Sequence, residues 1–519
     1  MPTNDQLTAL DATFLELEEA DDSALMHIGG TLVFEPLNAG GTPTVEEVRE
    51  HVEQRLYPLP RYRQKLSARR TGGLCWPSWE HDQRFEIDAH VRHATLPSPA
   101  DEHEFLAWIS DFYSHRLDRS RPLWELALLD GMAHGRWAMV WKTHHCLVDG
   151  TGSVDIAHLL LGAQPAPPDV AADDAPFMSV SDGGRQGWLP ESPALVGQVS
   201  SAGILAARAG AHALTHPREA LERSRAVLDL LVRDRLIAAP RSSLNVPIGT
   251  TRRIATVHAD LQELQQVRSA LGGKVNDVVL CAMTGALREL LIARGEDPPR
   301  HGLRAMVPVN VRHKDAHGGL GNRVSSMFVD LPVAEADPLR RYELVRVAAE
   351  KRKTGGQALA VSAVTGLTEL APPVLHASLA RSLYGKRLFN ITITNVPGPP
   401  DRLYGFGAPL IDIVPIVPLA AEHALGVAVI SYAGGVTFGL YADRATMPDL
   451  DVLRDGIATS LAELAAPAHA TAALRQKCRT DHSKRVSAEH THSRIGHYSR
   501  RRGRRATTGS RDGPSNRSV

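Results

Sequence analysis

Two adjacent histidines, His144 and His145, close an apolar and aromatic stretch; Asp149 follows His145 by four positions and Gly150 comes next. An imidazole takes up and releases a proton near neutral pH, so one held at the rim of a cleft can serve as a general base. The residues before the pair, Arg136 to Thr143, are rich in aromatic and β-branched side chains and are predicted as a strand. Neighbouring strand residues face opposite sides, so His144 and His145 take different roles and only one reaches a substrate. Asp149, on the turn that follows, can hold the local geometry by pairing with a basic group, and Gly150 lets the backbone turn close to the site. The spacing alone leaves two other readings open. The pair could bind a metal, or the histidines could be satisfied within the core, and 24 histidines make a chance pairing easy. No third Cys, His or carboxylate stands at a convincing ligand spacing, so no metal or redox cofactor is implied. Cys146 lies inside the motif, but the strand-end geometry favours His145 over a nucleophilic thiol.

Elements on either side must position this motif. Val45, Val48, Val52 and Leu56 recur at helical spacing, with Thr44 and Glu47 placed for a capping box. A second helix is predicted from Glu102 to Leu117, and a third from Ser153, as N-cap, to Leu161. Gln164 to Pro193 is rich in Pro, Gly, Asp and Ser and reads as a linker. Ala194 to Ala238 is helical in pattern, broken near Pro217. Its second half carries Leu221, Val227, Leu228 and Leu231 among arginines. It is either a solvated connecting helix or one lying on a membrane or droplet surface. Beyond Arg252, helices are predicted over Leu261 to Leu271 and Asn276 to Ala293. Strands are predicted over Arg304 to Asn310, Val324 to Leu331, Leu388 to Thr394, Leu425 to Tyr432 and Val436 to Tyr441. Ala433-Gly434-Gly435 joins the last two as a hairpin. The expected organisation is a first domain over residues 1–163, a linker with connecting helices over 164–245, a second domain over 246–468 and a tail over 469–519.

The chain of 519 residues is long enough for two domains with sizeable cores, and 43% apolar with 22% charged residues excludes a wholly disordered or fibrous protein. The zero net charge is unevenly spread. From Arg475 onward there are 13 basic and 3 acidic residues, against 45 and 55 before it. Arg500 to Arg505 is the densest part of this basic tail. Such a run is commonly disordered and binds anionic lipid or nucleic acid through charge alone, or has no partner. Nucleic acid is the less favoured of these partners. The four cysteines, Cys75, Cys146, Cys281 and Cys478, form no C-x-x-C pair and fit a reducing compartment. The N-terminus shows no basic and apolar leader. The most apolar stretch, Leu410 to Val429, holds Asp412, Pro415, Pro418, Glu422 and His423, so it makes a poor spanning helix. A cytoplasmic protein is expected, peripheral on the inner membrane or lipid droplets at most.

The motif Thr143-His144-His145-Cys146-Leu147-Val148-Asp149-Gly150 resembles the HHxxxDG signature of the bacterial wax ester synthase/acyl-CoA:diacylglycerol acyltransferase family. Other blocks follow that family's order nearly to Pro467. They include Leu7 to Asp11 with Phe14-Leu15 and Met26-His27-Ile28-Gly29, then Pro60 to Leu66, Pro122-Leu123-Trp124 and Leu244 to Gly249. Val275-Asn276-Asp277, Val307 to Arg312, Gly321-Asn322 and Thr394 to Pro399 complete the set. The tail after about Ala468 falls outside the pattern.

The resemblance implies an α/β (α+β) fold of two chloramphenicol-acetyltransferase-like domains, the CoA-dependent acyltransferase fold, flanking a central channel. Acyl-CoA would enter from one side as a substrate and the alcohol from the other. The HxxxD core of that wider fold falls on His145 and Asp149. This implies His145 as the general base, His144 as a supporting residue and Asp149 as the partner of an arginine, with Arg312 a guess. Asn276 is the candidate oxyanion donor, or the N-cap of its helix, and the two roles are compatible. Gly150, Asp277 and Gly398 are candidates for substrate contact. Pro122-Leu123-Trp124 is expected to pack the strand beside the active one. The implied reaction moves a long-chain acyl group to diacylglycerol, giving triacylglycerol, or to a fatty alcohol, giving a wax ester. Residue content does not separate the acceptors, although Ala, Arg and Gly richness points to a GC-rich source and so to triacylglycerol. Two alternatives are an enzyme of carrier-protein thioesters and a non-catalytic lipid-surface protein.

Overall fold

The computed structural model describes residues 7, 9–38, 40–56, 59–67, 77–147, 160–164, 239–310, 324–354 and 388–468. The helices are α1 (Ala9–Ala20), α2 (Val45–Leu56), α3 (Glu102–Ser114), α4 (Leu261–Leu271), α5 (Val275–Ala293), α6 (Pro338–Thr354) and α7 (450–468). The strands are β1 (His27–Phe34), β2 (Gln64–Leu66), β3 (Trp79–His81), β4 (Val91–Thr95), β5 (Trp124–Asp130), β6 (Trp137–His144), β7 (Arg252–Asp260), β8 (Leu303–Asn310), β9 (Val324–Leu331), β10 (Ile391–Pro397), β11 (Tyr404–Gly405), β12 (Ala408–Ile416), β13 (Leu425–Tyr432) and β14 (Gly435–Asp443).

Local chemistry sets several of these boundaries. The Thr44 amide donates to Glu47 Oε2 at 2.8 Å, and the Glu47 amide donates back to Thr44 Oγ1 at 3.2 Å, so α2 opens on the capping box its sequence promised. Thr44→Ala should cost about 1 kcal/mol of stability, read as a lower urea midpoint at unchanged slope. Asp101 and Asp260 accept from Glu104 N and Gln262 N and so cap α3 and α4. Ala433 and Gly434 both have positive φ, 45° and 91°, the geometry of a two-residue hairpin turn between β13 and β14.

The strands form two six-stranded sheets in the orders β11-β12-β1-β6-β5-β4 and β7-β14-β13-β10-β8-β9, with β2 and β3 as a separate pair. In the first, β6 lies between β1 and β5, and every residue from Trp137 to His144 is buried. In the second, β10 runs parallel to both β13 and β8. The expected division at residue 246 does not part the sheets, because β11 and β12 come from the second half of the chain and extend the first sheet through β1. This pairing satisfies the free edge that β1 would otherwise present.

One core lies between α4, α5, α6, α7 and the second sheet. A second is built around Trp124, Trp137 and Trp141 and also takes in Leu410 and Ile413 of β12 and Ile430 and Tyr432 of β13. A third joins the halves: Ile109 and Tyr113 of α3 meet Ile254 of β7, Val414 of β12 and Tyr441 of β14. The seam is tight. A Cβ at Gly439 would lie 2.0 Å from the Pro415 carbonyl oxygen, so β14 can pass β12 only as glycine.

Some expectations are corrected. Helix α3 stops at Ser114 rather than Leu117, because His115 is extended and the carbonyls of Phe112 and His115 both accept from Lys142 Nζ at 3.0 Å. The strand expected over Leu388 to Thr394 runs from Ile391 to Pro397; Asn390 before it is committed to Arg304 N, Pro240 O and Asn245 Oδ1. The apolar stretch Leu410 to Val429 covers most of β12 and the first part of β13. Helix α1, strands β1 and β12 and helices α6 and α7 were not foreseen. The helix from Ser153 is described only at its end, and the linker beyond Gln164, the pattern over Ala194 to Ala238 and the basic tail lie outside the described residues. No described helix is long and apolar enough to cross a membrane.

Candidate active site

Strand β6 delivers the histidine pair. His144 is its last residue, stands opposite His27 of β1 and is only 1% exposed. His145 is the first residue of the following turn and is partly exposed. Its amide donates to Met26 O at 2.8 Å, and its ring stacks on Phe14 at 4.0 Å with an interplanar angle of 15°. The next two residues fold back on His144. The Cys146 amide donates to His144 Nδ1 at 3.1 Å, and the Leu147 amide to His144 O at 2.9 Å. A backbone N–H can only donate, so His144 Nδ1 is an acceptor and the neutral ring carries its proton on Nε2. Cys146 is buried, and that burial, aided by the Asp11 charge, pushes its thiol well above the ordinary range. Such a thiol is a poor nucleophile at neutral pH.

Behind the pair is a buried charge cluster that sequence reasoning missed. Glu18, four residues after Phe14 on α1, is 2% exposed. Its Oε2 lies 3.5 Å from His144 Nε2 and 2.6 Å from an Arg119 guanidinium nitrogen; its Oε1 lies 3.6 Å from His27 Nε2. Burial alone would raise the Glu18 carboxyl. The nearby imidazoles of His144 and His27 and the Arg119 guanidinium hydrogen-bonded to it outweigh this and hold the group far below the carboxylate range. His27 is fully buried. Desolvation, reinforced by the Lys142 charge, drives it well below the usual imidazole value, against the pull of Glu18. The usable signal was the helical spacing of Phe14 and Glu18 together with His27 in the block already singled out.

The buried neutral His27 has a pH consequence. Its folded pKa is depressed, so below the unfolded value of about 6.5 the unfolded chain holds the extra proton and stability falls as pH drops. This group should remove at most about 2 kcal/mol between pH 6.5 and 5. Urea unfolding at both pH values should show a smaller loss in His27→Gln than in the parent.

The other blocks divide between packing and the site. Leu123 and Trp124 are fully buried; Trp124 Nε1 donates to Tyr62 O at 2.8 Å, and its ring stacks on His90 and Trp141. Leu123 O accepts the His144 amide at 3.0 Å, so this block packs β5 against β6, as expected. Asn276 is the second residue of α5, and its Oδ1 accepts from Asn395 Nδ2 at 3.2 Å, bringing together two blocks singled out separately. The N-cap is Lys274, not Asn276, and Asp277 Oδ2 accepts the Lys274 amide at 2.7 Å. A Cβ at Gly398 would lie 2.3 Å from Ser431 O, so packing on β13 already requires glycine there. Asp149, Gly150 and Arg312 lie outside the described residues. The described residues contain no group of three or more His, Cys, Asp or Glu arranged to hold a metal ion.

The family model for the wax ester synthase/diacylglycerol acyltransferase catalytic domain matches residues 7–279, and that for the WS/DGAT C-terminal domain matches residues 320–465. A probable diacylglycerol O-acyltransferase of Mycobacterium tuberculosis is 33% identical over 472 residues, covering 89% of this chain and 96% of the relative. The wax ester synthase/diacylglycerol acyltransferase of Marinobacter aquaeolei superposes with a TM-score of 0.64 at 28% identity, over 90% of this chain and 100% of that one. The starter condensation domain of rhizomide synthetase, solved with C8-CoA and Leu-SNAC, shares the fold at a TM-score of 0.56 and 16% identity, over 90% and 94% of the two chains. Two sheets joined through β12, with a histidine pair at the end of a central strand, place the molecule in the CoA-dependent acyltransferase fold. Within that class, the chain belongs to the wax ester synthase/diacylglycerol acyltransferase family.

Proposed function

We propose that the protein transfers a long-chain acyl group from acyl-CoA to diacylglycerol, forming triacylglycerol, and accepts fatty alcohols by the same route. The observation that carries this reading is the match of the family's catalytic domain over residues 7–279, which spans the histidine motif. His145 takes the proton of the acceptor hydroxyl. The oxygen attacks the thioester carbonyl directly, and the tetrahedral oxyanion is met by the Asn276 amide from the second sheet's side. His145 then returns the proton to the departing CoA thiolate, so charge and protons balance without a covalent enzyme intermediate. Holding both substrates in one site supplies much of the rate. Asp149 fixes the turn after the motif, and Gly150, Asp277 and Gly398 shape the ground around it. Acyl-CoA is a substrate, and no other cofactor enters the scheme. The protein works in the cytoplasm against a membrane or droplet surface, where its acceptor resides.

The test is CoA release by purified protein from palmitoyl-CoA, with dioleoylglycerol or hexadecanol as acceptor. Release that rises with either acceptor supports the reading and ranks the two. Release only from an acyl-carrier donor would move the protein to the thioester-condensing enzymes that share its fold.

A further inference from the structure

Glu18 has no role in the proposed chemistry, yet it is a buried carboxylate lying between two imidazoles. Its two oxygens lie 3.6 Å from His27 Nε2 and 3.5 Å from His144 Nε2, and Arg119 closes on it at 2.6 Å. Arg116 donates to the Glu18 carbonyl oxygen, anchoring that turn of α1. On the far side of the His144 ring, Nδ1 holds the Cys146 amide at 3.1 Å. Each ring nitrogen of His144 therefore has one neighbour of fixed polarity: a donor at Nδ1 and a carboxylate at Nε2.

We propose that Glu18 is a positioning residue for acyl transfer, holding His144 in the tautomer that accepts the Cys146 amide and so pinning the turn that carries His145. The alternative tautomer would set an N–H against the Cys146 amide and a lone pair against the carboxylate, two repulsions between buried groups. Arg119 supplies the compensating charge for Glu18, since an unpaired buried carboxylate would neutralise itself. His27, opposite His144 on β1, lies 3.6 Å from the other carboxylate oxygen. The arrangement is that of an outer carboxylate orienting a histidine, here one residue removed from the reacting group. The proposal rests on His145 being the base.

The test is a double-mutant cycle of Glu18→Gln and His144→Asn, read as kcat and KM of the full chain with palmitoyl-CoA and dioleoylglycerol, beside His145→Ala. Asparagine at 144 can still offer an oxygen near the Nδ1 position but falls short of Glu18. Glu18→Gln alone should lower kcat about 10- to 100-fold with the KM for acyl-CoA within twofold. The double variant should be no slower than the slower single variant, because both act through one contact. Losses that multiply, or an unchanged kcat in Glu18→Gln, would overturn the proposal. If Glu18→Gln does not fold, Glu18→Asp keeps the charge, shortens the reach and carries the same cycle. Turnover surviving in His145→Ala would instead sink the reading of His145 as base, so the two failures are distinguishable.

Discussion

His145→Ala should lower acceptor-dependent CoA release about 10²- to 10⁴-fold, the range over which a positioned general base contributes. The loss should fall on kcat, because the ring acts on the proton that moves in the transition state and contributes little to ground-state binding. The fold should tolerate the change. The backbone amide of residue 145 still donates to Met26 O, and the Cys146 amide still reaches His144 Nδ1. Among the contacts of the described residues, the stack on Phe14 is lost, worth about 1 kcal/mol, a drop of a few degrees in melting temperature. His145→Gln, closer in volume and still polar, should be as slow as alanine, because an amide cannot take up a proton near neutral pH. A variant that keeps the parental kcat would remove His145 from the chemistry. A collapsed melting temperature would make it a packing residue instead.

The parts of this architecture that could be read from the chain are those whose cause is local. Helix α2 has a complete apolar stripe and a capping box, and α4 has its Asp260 cap and a glycine at its end, so both were read to the residue. Strand β6 was legible because Trp137, Val140, Trp141 and their neighbours are buried on both faces. Helix α1 was not, because Thr13, Glu16 and Glu18 are all buried and blur the apolar stripe that marks a helix. Strand β12 looks like a strand of the second half, and nothing near it records that its partner is β1, some four hundred residues earlier. The histidine motif could be found from its own residues, but the cluster behind it could not. Glu18, His27, Arg119 and His144 come from four separate places in the chain, and only the pairing of β1 with β6 sets His27 opposite His144. Asn276 shows the same limit in smaller form. Its helix was predicted, but its contact with Asn395 depends on how α5 meets β10.

Arg252→Met should destabilise the protein by about 3–5 kcal/mol, the cost of stripping the partner from a buried ion pair. The Arg252 and Asp443 side chains are both fully buried and 3.8 Å apart, the two residues standing directly opposite each other at one end of the β7–β14 register. Asp443 also accepts the amides of Gly249 and Thr446, each at 2.9 Å, so its position is fixed and it cannot swing out to water when the arginine goes. The guanidinium does more than neutralise that charge. It donates to Gly249 O at 2.6 Å and, from its other terminal nitrogen, to Ser23 O in the loop before β1. Ser23, Met26 and His27 belong to one short segment, and Met26 O receives the His145 amide. Arg252 is thus a strut from the second sheet to the loop that supports the catalytic turn. Its loss should lower the chemical-unfolding free energy and, in the fraction still folded, kcat as well. Asp443→Asn keeps an oxygen for only one of the two amides, sets an NH2 against the other and leaves Arg252 without its counter-charge, so it should also destabilise the protein, although three carbonyl contacts still hold the guanidinium. If Arg252→Met unfolds at the parental denaturant midpoint, the pair is not holding the two sheets together. If stability falls while kcat of the folded fraction stays parental, the strut supports the seam but not the turn.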